Sequence, residues 1–279
     1  MQRRGHRGRP ARNNAGDHRL MAFVTLNGVT LHYRYSGGDG VPVIFLNSLG
    51  TDFRIWDDVI GHLPTGAPVL CMDKRGHGLS DDAPINMDAL VQDVAALMDH
   101  LGLKSALICG VSVGGMIAQG LAASRPDLVA GLVLCCTGTQ IGDAEGWNAR
   151  IETVRSNGIA SMADAILERW FSETFRTTRL ADLAGCRNML TRTSADGYAG
   201  VCAAIRDSDL TARSARLTVP TKCVAGADDL ATPPSLVKTL AGLIEGTDFE
   251  VLEDCGHLPP IERPAATALA VCRIHEMLK

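Results

Sequence analysis

Ser112 stands in Gly110-Val111-Ser112-Val113-Gly114, a G-x-S-x-G spacing. It follows the apolar run 106–109 and opens a helical pattern over 113–124. That strand–turn–helix setting is the context the motif needs in order to present a nucleophile. The turn is so tight that side chains two residues either side of the serine would clash, hence glycine at both places. Ser112 is then held in a strained backbone conformation with its Oγ exposed. The Val113 amide, at the start of the helix, faces developing negative charge and is helped by the helix dipole. The chemistry these residues predict is nucleophilic attack on an acyl carbon.

A serine needs a base, and the chain has eight histidines. His6 and His18 fall in the basic start and His32 in a hairpin, while His62, His100 and His275 lie on helical patterns as solvated residues. His77, in Asp73-Lys74-Arg75-Gly76-His77-Gly78-Leu79-Ser80, reads as a structural turn residue. His257, in Asp254-Cys255-Gly256-His257-Leu258-Pro259, follows the last apolar run and so occupies a loop at a strand's carboxyl end. That is the edge of an open sheet where ligands bind. The acid that orients the histidine is expected between Ser and His in the chain. Gly226-Ala227-Asp228-Asp229-Leu230-Ala231-Thr232-Pro233 offers two aspartates, and spacing alone leaves both open. A second oxyanion donor is expected from Leu46-Asn47-Ser48-Leu49-Gly50, with the Leu49 N–H in that role. Each such donor contributes roughly 3–4 kcal/mol of transition-state stabilisation.

These groups need a scaffold. Alternating runs at 23–26 and 29–35 flank Asn27-Gly28, a hairpin signal. Short apolar runs follow at 41–46, 68–72, 106–109, 132–136, 221–225 and 249–252. Largely free of polar residues, they read as strands covered on both faces. Helical patterns lie between them at 54–62, 87–101, 113–124, 234–245 and 264–278. The alternation predicts an α/β fold with a mainly parallel, doubly wound sheet, plus antiparallel edge strands from the hairpin. It stops between residues 142 and 217, where helical stretches at 151–154, 162–171, 179–191 and 198–206 are separated by Asn157-Gly158 and Asp196-Gly197. The expected division is a core of 21–141 and 218–279 with a helical cap, 142–217, lying over the site as a lid.

With 46% hydrophobic and 21% charged residues among 279, the composition is that of a globular protein with a sizeable core. A net charge of −4 sets nucleic acid aside as the main partner. No apolar run of about 18 residues predicts a membrane span. Residues 1–20 hold six arginines against Asp17 and no apolar run. They read as a disordered basic tail, with three origins open: an Arg-rich transit segment, another real tail, or a start at Met21. The nine cysteines form no CxxC pair, and most sit in strand-like runs, so a reduced cytoplasmic protein with buried thiols is expected. The sequence leaves both a monomer and a homo-oligomer open.

From about residue 22 onward the chain resembles the α/β-hydrolase superfamily, and within it the 3-oxoadipate enol-lactonases. Asn47-Ser48-Leu49-Gly50, the stretch Asp73–Ser80 and Trp147-Asn148-Ala149-Arg150-Ile151 carry that likeness. The superfamily pattern Gly-x-x-Asp-x-x-Thr-Pro fits Gly226, Asp229, Thr232 and Pro233, and so implies Asp229 as the acid. The resemblance implies opening of an unsaturated lactone that bears a carboxylate, with no metal and no organic cofactor. Arg54 and Arg150 are then the candidate cations for that carboxylate and Trp147 a candidate wall for the planar ring, whereas Arg75 is expected to be tied up in its own turn. A carboxylesterase, a carbon–carbon bond hydrolase and a perhydrolase share the same catalytic set. Ser at position 112 argues against dehalogenases and epoxide hydrolases, which use Asp there. A non-catalytic binding protein on the same fold is the reading from a different class.

Overall fold

The computed structural model describes residues 22–279. The expected basic tail, 1–20, lies outside the described residues. The described residues open with β1 (Ala22–Leu26) and β2 (Val29–Ser36), joined through Asn27 (φ 52°) and Gly28 (φ 74°). Two consecutive positive φ values make the primed turn whose twist matches the flanking strands.

Then come β3 (Val43–Leu46), a 3-10 turn (Phe53–Trp56), α1 (Asp57–Gly61), β4 (Val69–Met72), α2 (Met87–Leu101), β5 (Ala106–Val111), α3 (Val113–Ser124) and β6 (Val129–Cys135). The helical pattern expected over 54–62 is split because Asp52 accepts a hydrogen bond from Arg54 N–H and starts a tighter 3-10 turn. Next is a run without strands: α4 (Ala144–Asn157), a 3-10 turn (Ile159–Met162), α5 (Ala163–Trp170), α6 (Glu173–Thr178), α7 (Leu180–Thr191), α8 (Ala195–Arg206) and α9 (Thr211–Ser214). The chain closes with β7 (Thr221–Gly226), α10 (Pro234–Leu243), β8 (Asp248–Leu252), α11 (Pro259–Glu262) and α12 (Pro264–Met277).

The eight strands form one sheet in the order β1-β2-β4-β3-β5-β6-β7-β8. β1 and β2 pair antiparallel, as do β2 and β4, and every other pairing is parallel. Every residue of β3, β4, β5 and β7 is buried, so helices cover both faces. α1 packs on α12 and α2 on α3. The edge strand β1 instead alternates between half-buried and exposed positions.

Two sequence expectations shift in the strandless run. α4 begins seven residues before the predicted stretch, because Asp143 caps it by accepting from Gly146 N–H at 2.8 Å. Asp196-Gly197 does not separate helices but lies in the first turn of α8, where Ser194 Oγ accepts from Gly197 N–H at 3.2 Å. The glycine serves packing: a Cβ at Gly197 would come within 2.2 Å of Gly76 O. No helix among the described residues is long and apolar enough to cross a membrane.

Candidate active site

Ser112 joins β5 to α3 with φ 58° and ψ −123°, a conformation L-residues rarely adopt. The flanking glycines make it feasible. A Cβ at Gly110 would lie 2.3 Å from Gly114 O, and one at Gly114 would lie 2.1 Å from Leu46 O, the end of the neighbouring strand. Thr137 Oγ1 donates to Ser112 O at 2.7 Å and helps hold the turn. Ser112 is 6% exposed, at the floor of a cavity of about 300 Å³.

That cavity collects the loops that follow the parallel strands. Ser48 and Leu49 after β3, Ser112 after β5, Thr232 after β7 and His257 after β8 all line it. Its far side is built by α4, α5 and α8, through Trp147, Arg150, Ile166, Trp170 and Ile205. The strandless run therefore supplies much of the pocket's apolar wall.

His257 is held from several directions. Its Nδ1 lies 2.9 Å from Asp229 Oδ2, and its backbone N–H donates to Trp170 O at 2.7 Å. The preceding Gly256 N–H donates to Glu262 Oε1 at 2.7 Å. Glu262 Oε2 also accepts from Ser172 Oγ at 2.6 Å and Ser172 N–H at 3.1 Å, tying the histidine loop to the segment after α5. With a carboxylate at Nδ1, that nitrogen carries the proton and Nε2 is left as the acceptor. Asp229 is 2% exposed. Burial alone raises its pKa, but the His257 charge and the hydrogen bonds from His257 and Thr232 outweigh this and hold it below the ordinary value. Its Oδ1 accepts from Ala231 N–H at 2.7 Å and Thr232 N–H at 2.9 Å. Asp228, the other aspartate that spacing allowed, is exposed.

Cys136, Asp229 and His257 bring ligand-type atoms within 4.8 Å of one another. Both Asp229 oxygens already accept hydrogen bonds, and burial together with the Asp229 charge pushes the Cys136 thiol well above its ordinary pKa. These groups are occupied with each other rather than arranged as an open ligand set.

Leu49 borders the cavity from the loop after β3, and Val113 opens α3. His77 sits behind that loop: its buried Nε2 accepts from Gly50 N–H at 2.9 Å. Burial and the neighbouring Lys74 charge push its pKa far down, so it is a neutral turn residue, as the sequence indicates. His32 is buried with its Nδ1 2.7 Å from Asp73 Oδ2.

Of the proposed substrate contacts, Trp147 and Arg150 line the cavity, the guanidinium stacking 5.2 Å above the indole. Trp147 is oriented by its Nε1–H, which donates to Ile141 O at 2.6 Å. Arg54 does not reach this cavity. Its side chain is 64% exposed and grips Asp52, with Nε to Oδ1 at 2.9 Å and Nη2 to Oδ2 at 2.6 Å. The 3-10 turn that Asp52 starts carries Arg54 outward, so its nearness in the chain to the loop after β3 does not bring it to the cavity. Arg169 was not foreseen. It lines the cavity from α5 three residues after Ile166, and i,i+3 spacing on the predicted helix was the available signal. Arg75 is tied up, though not within its own turn: its Nε and Nη2 each lie 2.6 Å from an oxygen of Asp93 on α2.

A buried, acid-oriented imidazole and a serine on a strained turn share a pocket at the carboxyl edge of a parallel sheet, a geometry suited to acyl transfer. The family model for the alpha/beta hydrolase family matches residues 43–271. The chain belongs to the α/β-hydrolase family. Over 251 residues this hydrolase is 34% identical to 3-oxoadipate enol-lactonase 2 of Acinetobacter baylyi, a match covering 89% of this chain and 94% of that protein. It is 33% identical to 3-oxoadipate enol-lactonase 1 of the same organism, covering 88% and 93%. Among solved structures it resembles the enol-lactonase from Burkholderia xenovorans LB400, with a TM-score of 0.88 and 35% identity over 91% of this chain and 99% of that one.

Proposed function

We propose that this hydrolase opens 3-oxoadipate enol-lactone to 3-oxoadipate, using Ser112 as nucleophile, His257 as base and Asp229 as the acid that orients it. The observation that carries the reading is the single cavity in which Ser112 and the Asp229-bound His257 meet Trp147 and Arg150. The similarity to enol-lactonases supports the choice of lactone.

His257 Nε2 takes the Ser112 hydroxyl proton as Oγ attacks the lactone carbonyl. The N–H groups of Leu49 and Val113 hold the resulting oxyanion. Collapse breaks the ring C–O bond and expels an enolate, whose oxygen takes up the proton that His257 had gained; the enol then tautomerises to the ketone and His257 is again a free base. An enolate leaves more readily than an alkoxide, so acid assistance matters less at that step. His257 then takes a proton from water as it attacks the serine ester, releasing the acid and restoring the serine. Arg150 faces the substrate carboxylate and Trp147 the ring plane. No cofactor enters these steps. Such a reaction belongs to the breakdown of protocatechuate and catechol. Nine unpaired cysteines, eight of them buried, suit a reducing compartment, and we place the enzyme in the cytoplasm.

The test is to follow loss of the enol-lactone's ultraviolet absorbance with purified protein. Turnover that Ser112→Ala lowers by several orders of magnitude is the expected result. Good turnover of simple aryl esters with none of the lactone would replace the assignment by a general carboxylesterase.

A further inference from the structure

Lys74 is buried directly behind the oxyanion loop, and the steps above do not use it. Its Nζ donates to Ser48 O at 2.6 Å, with Asn47 O at 3.4 Å and Thr51 O at 3.5 Å. The Ser48 carbonyl and the Leu49 N–H are the two ends of one peptide unit. In a trans peptide they point in opposite directions, and the described chain has no cis bonds. A cation anchored on the carbonyl therefore turns the Leu49 N–H away from Lys74, toward the cavity that Leu49 borders. It also withdraws electron density through the amide and makes that N–H a stronger donor.

We propose that Lys74 is a positioning residue for the oxyanion hole, its ammonium orienting and polarising the Ser48–Leu49 peptide. This rests on the Ser112 mechanism above but not on the identity of the lactone. Burial lowers the Lys74 pKa to about 7, although Asp73 and Asp52 both favour its charge. Asp52 is itself gripped by Arg54 and Asp73 by His32, while His77, in the same turn, is neutral. The ammonium thus titrates within the working range, and the help it gives the oxyanion fades as pH rises through neutrality.

The experiment measures kcat and KM for p-nitrophenyl acetate, a neutral ester, from pH 6 to 9 in wild type and Lys74→Met, with thermal unfolding of both. Wild-type kcat should fall on the basic side, through the Lys74 titration, to a lower plateau. Lys74→Met should lack the fall, with kcat roughly tenfold below wild type on the acid side, convergence by pH 9, and KM little changed. A constant ratio of the two rates across the range would mean a merely structural lysine and would overturn the inference. So would a wild-type profile with no basic fall, which decides the matter even where the variant folds poorly. Failure of the protein to open the enol-lactone leaves this ester assay standing, so the two readings fail separately.

Discussion

Replacing Asp229 by Asn tests the site at its most constrained point. Oδ1 of Asp229 accepts two backbone N–H groups, at 2.7 and 2.9 Å, so an asparagine keeps its carbonyl oxygen there. Its NH2 must then take the place of Oδ2, which lies 2.9 Å from His257 Nδ1 and 2.6 Å from Thr232 Oγ1. A donor now faces Nδ1, so the imidazole moves its proton to Nε2 and can no longer accept one from Ser112. Thr232 cannot repair this, because its single proton already has Cys136 O within 2.8 Å. The imidazolium formed in the transition state also loses its counter-charge. Together these changes should lower kcat by about 10⁴. At about 1.36 kcal/mol per decade that is roughly 5.4 kcal/mol of lost transition-state stabilisation. The assay is steady-state turnover of an aryl ester and of the lactone, with thermal unfolding as the control for folding. Asp228→Asn is the internal comparison: its carboxylate is exposed, and its rate should stay within about twofold of wild type, as for most surface substitutions. A folded Asp229→Asn within tenfold of wild type would refute the reasoning, as would an Asp228→Asn that falls as far. The pair also carries a stability signature. Because the folded pKa of Asp229 lies below its ordinary 3.8, its ionisation stabilises the fold above that pH, and this contribution is lost as pH falls through the folded value. Asp229→Asn should lack that part of the acid sensitivity in pH-dependent denaturation.

Three further outcomes are expected. Gly114→Ala places a methyl 2.1 Å from Leu46 O, a backbone atom that cannot swing aside; roughly 3 kcal/mol of stability should be lost in urea unfolding, with activity falling in the folded fraction. Glu262→Gln leaves either Gly256 N–H or Ser172 N–H facing an NH2 group; unfolding should register a loss of about 1–3 kcal/mol, and lactone turnover should fall because Gly256 adjoins His257. Arg150→Leu should raise KM for the carboxylate-bearing lactone by about 10–100-fold while sparing neutral esters, and Arg54→Gln should change neither, as initial-rate measurements on both substrates will show.

What the sequence determined by itself is local. Strands covered on both faces are largely apolar, so the runs 41–46, 68–72 and 106–109 announce the parallel sheet without reference to any partner. The serine turn is equally local: only three residues separate Gly110 from Gly114, and the spacing of glycines around Ser112 records their close approach. The loop position of His257 follows from the strand before it. Tertiary structure decided the rest, because it turns on which side chain of a short stretch reaches across the fold. Asp228 and Asp229 are chemically identical neighbours, and only the crossing of the β7 and β8 loops gives one of them to an imidazole 28 residues away. Arg54 and Arg150 are equally cationic in sequence, yet a 3-10 turn carries the first to solvent and the placement of α4 over the sheet brings the second into the cavity. Nothing in the local pattern marks Lys74 or Glu262; their roles arise when the residues they hold, 26 and 90 positions away, fold back onto them. Local periodicity carries no information about such contacts; they exist only once the loops at the strand ends and the helices between β6 and β7 come together in the fold.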